Sequence, residues 1–245
     1  MVHFVGAGPG AVDLITLRGK ELIEKADVII YAGSLVNPAL LDYAREGCLK
    51  YDSAYMNLEE IMDVMLNSDG EIVRLHTGDP SIYGAIREQM DILYKEGVPY
   101  DICPGVSAMS GAAAALRAEY TLPGVSQSII ITRAGGRTGV PKGQDIKDMA
   151  GHGSTMILFL SAGLSDKVSR ELKEGGYPGD TPVAVVYKAT WPEEKIIHTT
   201  VDNLVKDMEE NGIDKTALII VGNVLGGEYE LSRLYDKDFE TGYRK

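Results

Sequence analysis

The chain has 245 residues, an apolar content of 44% and a formal net charge of −12, from 36 acidic and 24 basic residues. That length suits one large domain or two modest ones, the acidity disfavours nucleic acid and anionic membranes as partners, and no apolar run is long enough to span a bilayer. Cys48 and Cys103 are the two cysteines. Neither lies in a Cys-x-x-Cys pair, which predicts a reduced, cytoplasmic setting without a cysteine-based metal or redox centre.

Residues 2–5 read as a first strand, because no basic segment with an apolar core follows Met1 to make a secretory signal. The strand ends in Gly6-Ala7-Gly8-Pro9-Gly10-Ala11. This run nominally meets the dinucleotide fingerprint, with Ala11 as the third small residue. Two features oppose a nicotinamide-binding oxidoreductase. The next helix should start near Thr16, beyond Pro9, Asp13 and Leu14, rather than within the glycines. The second strand, 27–31, opens on Asp27 and closes on Tyr31, where an acidic residue is expected. The plain alternative is a tight turn that lets the chain pass a neighbouring loop.

A strand over 48–51 precedes a helix with Leu58, Ile61, Met62, Met65 and Leu66 on one face, Asn57 as its cap and Glu60 at the third position. Strand 71–75 runs into Thr77-Gly78-Asp79-Pro80. A helix is expected directly afterwards, with Pro80 at its start and Ile82, Ile86, Met90 and Leu93 on its inner face, closed by Gly97. A strand ending in a Gly/Asp/Pro turn leaves backbone N–H groups free to face a ligand, and Asp79 adds a fixed acceptor. The competing role for Asp79 is that of a helix cap. Strand 100–103 leads into Pro104-Gly105-Val106-Ser107-Ala108 and a small-residue helix over 107–116. Its first-turn residues Ser107 and Ala108 are ligand candidates, while 112–115 suit close packing.

The break at Arg117 to Pro123-Gly124 predicts a first domain over 1–117 and a second over 118–245. Strands are expected at 128–132, 155–160, 183–187, 195–199 and 217–221. The short 189–194 connection makes the third and fourth of these antiparallel. A helix with Val201, Leu204, Val205 and Met208, capped by Thr200, should stop at Asn211-Gly212. The predicted fold is therefore two α/β domains, the first mainly parallel and the second with a mixed sheet. The charged, Tyr-containing segment after Gly226 reads as an appendage or a partly disordered tail.

His3, His76, His152 and His198 have no metal-ligating spacing, and neither Gly-x-Ser-x-Gly nor a Ser-His-Asp order is present, so nucleophilic hydrolysis is poorly supported. Arg87, Arg117, Arg133, Arg137, Lys142 and Lys188 are the candidates for holding an anion. Arg133-Ala134-Gly135-Gly136-Arg137 is the best placed, because two guanidinium forks flank glycines at a strand end.

Taken in order, the loops Val5-Gly6-Ala7-Gly8-Pro9-Gly10, His76-Thr77-Gly78-Asp79-Pro80-Ser81-Ile82-Tyr83-Gly84, Pro104-Gly105-Val106-Ser107-Ala108 and Val185-Val186-Tyr187-Lys188-Ala189-Thr190-Trp191-Pro192 resemble the tetrapyrrole methylase family over nearly the whole chain, about 2–226. Within it they look most like the members that methylate C-11 of cobalt-precorrin-4 to give cobalt-precorrin-5A. The resemblance implies two α/β domains forming a cleft, a homodimer, and S-adenosylmethionine bound folded between the domains and released as S-adenosylhomocysteine. Carried over by position, it makes Pro9, Thr77, Gly78, Asp79, Ile82, Ser107, Ala108, Leu160 and Ala189 donor contacts. Ser161-Ala162-Gly163 lengthens the loop at Leu160. It puts the backbone at Ala217-Leu218 near the adenine. Gly6, Gly8, Gly10 and Tyr83 would line the corrinoid side, with Arg133, Arg137 and Lys188 on its carboxylates. Trp191 should lie near the cleft. Cobalt would arrive with the tetrapyrrole substrate, with no protein-bound metal. No catalytic acid or base is identified. The alternatives are a member acting on precorrin-4 without cobalt, on C-17 or C-20, or on uroporphyrinogen III, and a carrier that binds corrin intermediates without turnover.

Overall fold

The computed structural model describes residues 1–236, 239–240 and 242–243. Its chain forms two compact units, residues 1–112 with 188–194, and residues 113–187 with 195–245.

The first unit is built on strands β1 (Val2–Gly6), β2 (Val28–Tyr31), β3 (Leu49–Asp52), β4 (Ile72–His76) and β5 (Tyr100–Cys103). All pair parallel in the order β3-β2-β4-β1-β5. The inner strands β1 and β2 read as largely apolar runs because both faces of the sheet are covered there, whereas the edge strand β3 carries Lys50 and Asp52 and is part-exposed. Val2, Phe4, Val28, Ile30 and Ile72 enter one core. Their neighbours Val5, Ile29, Val73 and Leu75 enter the opposite one. Helix α1 (Leu17–Lys25) is capped by the Thr16 side chain, which accepts from the Gly19 N–H. Helix α2 (Leu58–Asn67) carries the anticipated capping box of Asn57 and Glu60 and buries Ile61, Met62 and Met65.

The helix after Thr77-Gly78-Asp79-Pro80 starts later than its apolar spacing suggests. Helix α3 spans Arg87–Lys95. Tyr83 and Ala85 take left-handed φ values of 56° and 51°, which a right-handed helix cannot contain. Pro80 is thus not at a helix start; it sits in a turn whose carbonyl lies against Gly84, where a Cβ would come within 2.1 Å of it. The stop at Gly97, with φ +70°, is as expected.

Helix α4 (Ala108–Leu116) runs across the division between the units. The second unit holds β6 (Ile129–Arg133), β7 (Thr155–Phe159), β8 (Pro182–Tyr187), β9 (Lys195–Thr200) and β10 (Ala217–Val221), in the order β6-β7-β10-β8-β9. Only β6–β7 is parallel; β8–β9 is antiparallel, as its short connection required, so the sheet is mixed. Helices α5 (Ile146–Ala150), α6 (Ser165–Glu174) and α7 (Leu204–Glu210) pack on one core, into which Met156, Leu158, Val168, Leu172, Val185, Leu204 and Ile219 point. Helix α7 begins three residues later than its apolar pattern. Residues 201–203 form a turn instead, with the Val201 and Asp202 N–H groups bonded to the Thr181 and Gly179 carbonyls at 3.1 and 2.9 Å. Beyond Gly226, Arg233–Tyr235 forms a 3-10 turn; tail positions 237, 238, 241, 244 and 245 lie outside the described residues. Among the described residues no helix is long and apolar enough to cross a membrane.

Candidate functional site

In the first unit β1 lies between β4 and β5, so three adjacent strands deliver their carboxyl ends to one place. The loops there touch main chain to main chain. Gly8 and Gly78 form an isolated bridge, with Gly78 N–H to Gly8 O at 2.8 Å and Gly8 N–H to Gly78 O at 3.3 Å. A Cβ on Gly6 would lie 2.5 Å from Gly105 Cα and 2.6 Å from Gly78 O. A Cβ on Gly78, whose φ is +62°, would face Ala108 N and Ser107 Cα at 3.3 and 3.7 Å. Glycine is needed at 6 and 105 because backbone occupies the place of a side chain.

Asp79 fastens this arrangement. One carboxylate oxygen accepts from the Gly105 N–H at 2.8 Å, and the other from the Ser81 N–H at 2.9 Å and the Ser81 hydroxyl. Partial burial pushes its pKa up, but the Ser81 hydroxyl and then the Gly105 and Ser81 amides more than offset this and hold it below the ordinary carboxylate value. Asp79 is therefore neither a helix cap nor a free acceptor, but a charged staple between the β4 and β5 loops. Replacing it with Ala leaves two amides without their charged acceptor. We expect Asp79→Ala to lower stability by about 1–3 kcal/mol and to weaken S-adenosylhomocysteine binding, read by thermal unfolding and calorimetry. Unchanged melting with unchanged affinity would remove it from this role.

A fourth segment reaches the same loops from β8. Residues 188–194 count with the first unit. The Trp191 Nε1–H donates to Pro9 O at 3.0 Å, and Thr190 Oγ1 accepts from the Ala11 N–H at 2.9 Å. A Cβ on Gly111 would lie 2.8 Å from the Pro9 ring and 3.3 Å from Thr190 Cγ2, so helix α4 also approaches here. Asn37 Nδ2 donates to Gly10 O at 2.8 Å. The Lys188 ammonium lies 5.1 Å from the Trp191 ring centroid and 3.8 Å from Glu193.

Of the residues singled out in the sequence, Gly6, Gly8, Pro9, Gly10, Thr77, Gly78, Asp79, Ser107, Ala108, Lys188 and Ala189 are on these four loops. Ile82 follows directly, its N–H bonded to Asp79 O at 3.2 Å, and Tyr83 is 44% exposed. Leu160, Arg133, Arg137, Ala217 and Leu218 belong to the second unit. Leu160 stands exposed at the end of β7 with a left-handed φ of 52°. Arg133 bonds the Ala134, Thr138 and Gly139 carbonyls and so shapes its own loop, whereas Arg137 is exposed. Asn37, Thr190 and Gly111 were not singled out as site residues. The Asn-Pro pair at 37–38 signals a turn, but nothing in the sequence says that its amide reaches Gly10.

Beneath the β4 loop lie Arg74 and His76, both buried. Arg74 bonds Ile30 O at 3.3 Å, and its Nε and His76 Nε2 meet no partner among the described residues. Burial lowers the Arg74 pKa to about 10. Burial, and then the Arg74 charge, lowers His76 to about 3, so its imidazole is neutral at physiological pH. Among the described residues no three His, Cys, Asp or Glu side chains are grouped to hold a metal ion.

The glycine loop does not present a dinucleotide site. A 3-10 turn at Val12–Leu14 follows it, and α1 begins only at Leu17 with its first turn already capped by Thr16.

The sequence profile of the Tetrapyrrole (Corrin/Porphyrin) Methylases matches residues 1–205. A cobalt-precorrin-4 C(11)-methyltransferase of Methanocaldococcus jannaschii is 56% identical over 248 residues, covering 100% of this chain and 96% of its own. The X-ray structure of a cobalt precorrin-4 methyltransferase of cobalamin biosynthesis superposes with a TM-score of 0.90 at 48% identity, covering 92% of this chain and 96% of that one. A uroporphyrin-III C-methyl transferase from Thermus thermophilus, complexed with S-adenyl homocysteine, gives a TM-score of 0.77 at 27% identity, covering 92% and 93%. With a profile matched across most of its length and a relative identical at over half its positions, the chain belongs to the tetrapyrrole methylases.

Proposed function

We propose that this chain transfers a methyl group from S-adenosylmethionine to C-11 of cobalt-precorrin-4, giving cobalt-precorrin-5A and S-adenosylhomocysteine in cobalamin biosynthesis. The observation that carries this reading is the main-chain convergence of the Gly6–Gly10, Thr77–Asp79 and Gly105–Ala108 loops, joined by 188–194. It is supported by the relatives bearing that activity in their names.

The residues fit such a donor. Glycine corners at 6, 78 and 105 bring backbone close, Thr77 is exposed beside Gly78, and the N-terminal turn of α4 is made of Ser107 and Ala108. The sulfonium supplies an activated methyl and leaves as a neutral thioether, so alignment matters more than acid catalysis. The loops' task is to hold and orient donor and macrocycle and to exclude water. On the β4 loop His76 is neutral and buried and Asp79 is held by hydrogen bonds, in keeping with a reaction driven by positioning.

We assign Pro9, Thr77, Gly78, Asp79, Ile82, Ser107, Ala108, Leu160 and Ala189 to the donor, with Asp79 acting through the loops it joins. Gly6, Gly8, Gly10, Tyr83, Arg133, Arg137 and Lys188 are assigned to the tetrapyrrole and its carboxylates. Cobalt is read as part of the substrate, the protein as a cytoplasmic homodimer, and the domain boundary as 117/118.

The test is NMR of the product formed with donor labelled in its methyl carbon, using cobalt-precorrin-4 and metal-free precorrin-4 in parallel. Label at C-11 of the cobalt compound is expected. Label at another ring carbon redirects the specificity, and absence of label leaves a carrier. Trp191 is the single tryptophan, so its fluorescence should change when donor or corrinoid saturates the protein and not with NADH. The reverse pattern favours an oxidoreductase.

A further inference from the structure

Residues 188–194 are anchored in a way their own hairpin does not require. The β8–β9 pair is complete without them, running from Pro182–Thr200 to Tyr187–Lys195. Within the connection Lys188 and Thr190 take left-handed φ values of 46° and 68°, the latter on a β-branched residue. Such conformations persist only where the surroundings over-determine them. Local bonds fix the turn: Trp191 N–H to Lys188 O at 3.0 Å, and Thr190 N–H to Glu194 at 2.6 Å. What the strained turn presents is the Trp191 indole to Pro9 O and the Thr190 hydroxyl to the Ala11 N–H.

Gly10 lies between these two bonds. A Cβ there would fall 2.0 Å from Trp191 Cδ1 and 2.3 Å from Nε1, so the indole occupies the place of a side chain at position 10. Behind it, Asn37 holds the Gly10 carbonyl. Three side chains from distant parts of the sequence thus determine where residues 9–11 stand. Asp79, Gly105 and the Gly8–Gly78 bridge govern the other end of the same loop.

We propose that Trp191, seconded by Thr190, is a positioning residue for the tetrapyrrole: it sets the reach of the Pro9–Ala11 backbone toward the macrocycle. The inference rests on the methyltransferase reading, in which Gly6, Gly8 and Gly10 line the corrinoid side. It assigns the specificity of that side to the shape of a clamped loop, and no bond between Trp191 and the reacting atoms is involved.

The experiment compares full-length wild type with Trp191→Phe, Thr190→Val, Gly10→Ala and the double variant Gly10→Ala with Trp191→Leu. Methyl transfer to cobalt-precorrin-4 is followed kinetically, S-adenosylhomocysteine affinity by calorimetry and folding by thermal melting. Trp191→Phe keeps a ring over Gly10 but loses one hydrogen bond, and should raise KM for the corrinoid about five- to tenfold with kcat within about twofold of wild type and a smaller loss of S-adenosylhomocysteine affinity, transmitted through Pro9. Thr190→Val, nearly isosteric, should do the same. Gly10→Ala should be worse than either, and the double variant should recover part of that loss because the smaller side chain frees the colliding space. Unchanged KM in both single clamp variants overturns the proposal. So does an equal loss of donor affinity, corrinoid affinity and melting temperature, which marks a purely structural contact. A wild-type enzyme that methylates no tetrapyrrole overturns the functional reading and this inference together, whereas an active wild type with indifferent variants overturns only the inference.

Discussion

Gly105→Ala should abolish donor binding while leaving the second unit's sheet intact. The added methyl would stand 2.2 Å from Gly78 O and 2.7 Å from Gly6 Cα. Both are main-chain atoms of strand-end loops, so relief requires moving backbone rather than turning a rotamer. Overpacking a well-filled interior costs about 1–3 kcal/mol where side chains can yield. Here they cannot, and a cost above about 3 kcal/mol is expected. Movement of the β5 loop would also stretch the 2.8 Å bond from Gly105 N–H to Asp79 and disturb the Gly8–Gly78 bridge. Calorimetry with S-adenosylhomocysteine should give no measurable heat, with a depressed melting temperature. A Gly105→Ala protein that binds with wild-type affinity would show that the loops do not meet as described. Gly47→Ala is the matched control. Its φ is positive, at +83°, which that of Gly105 is not, and an added Cβ meets nothing within 4 Å, so it should cost only the local backbone strain.

The second large effect is in acid. His76 has a folded pKa of about 3 against an ordinary value near 6.5. The folded value is the lower, so the unfolded chain takes up the proton first. The folded state keeps its full margin above about pH 6.5 and loses about 1.4 kcal/mol per pH unit as the pH falls toward 3. Over that window the loss is on the order of 4 kcal/mol, a large part of a typical domain's stability. Asp79, held below its ordinary carboxylate value, adds a loss of the same sign at the acidic end. Urea unfolding at pH 7, 5.5 and 4.5 should show the decline. His76→Phe, which keeps a ring near Phe4 at 6.2 Å and removes a buried nitrogen that meets no partner among the described residues, should flatten it while changing stability at pH 7 little. An unchanged slope in that variant would place the acid sensitivity elsewhere.

Much of this arrangement is legible in the sequence because local chemistry and tertiary structure agree. Asn57 and Glu60 write a capping box, Gly97 a helix stop, and the short 189–194 connection an antiparallel pair; each is found. Parallel strands ending in glycine turns also predict loops gathered at one sheet edge, and the first unit shows this. The failures have a common cause. The apolar spacing of Ile82, Ile86, Met90 and Leu93 is helical, yet Tyr83 and Ala85 lie in the left-handed region, which no periodicity records. Val201 likewise fits a helical stripe, but it stands in the turn ahead of α7, tied through its amide to the distant Thr181 carbonyl. The roles of Asp79, Asn37, Thr190 and Trp191 depend on partners 26 to 182 positions away. Spacing along one segment carries no information about such contacts. Arg133 adds a local case: its fork bonds the carbonyls of Ala134, Thr138 and Gly139 on its own loop, contacts that its type and place at a strand end do not announce.

The excursion of 188–194 gives the polypeptide an order of completion. The first unit includes seven residues that lie between two strands of the second. A ribosome that has released residues 1–117 has supplied every strand of the parallel sheet, yet Ala11 still lacks its hydroxyl acceptor and Pro9 its indole donor. The half begun earliest can be finished only after β8 has been synthesised, and a single cut anywhere in the gene would leave at least one half without part of itself.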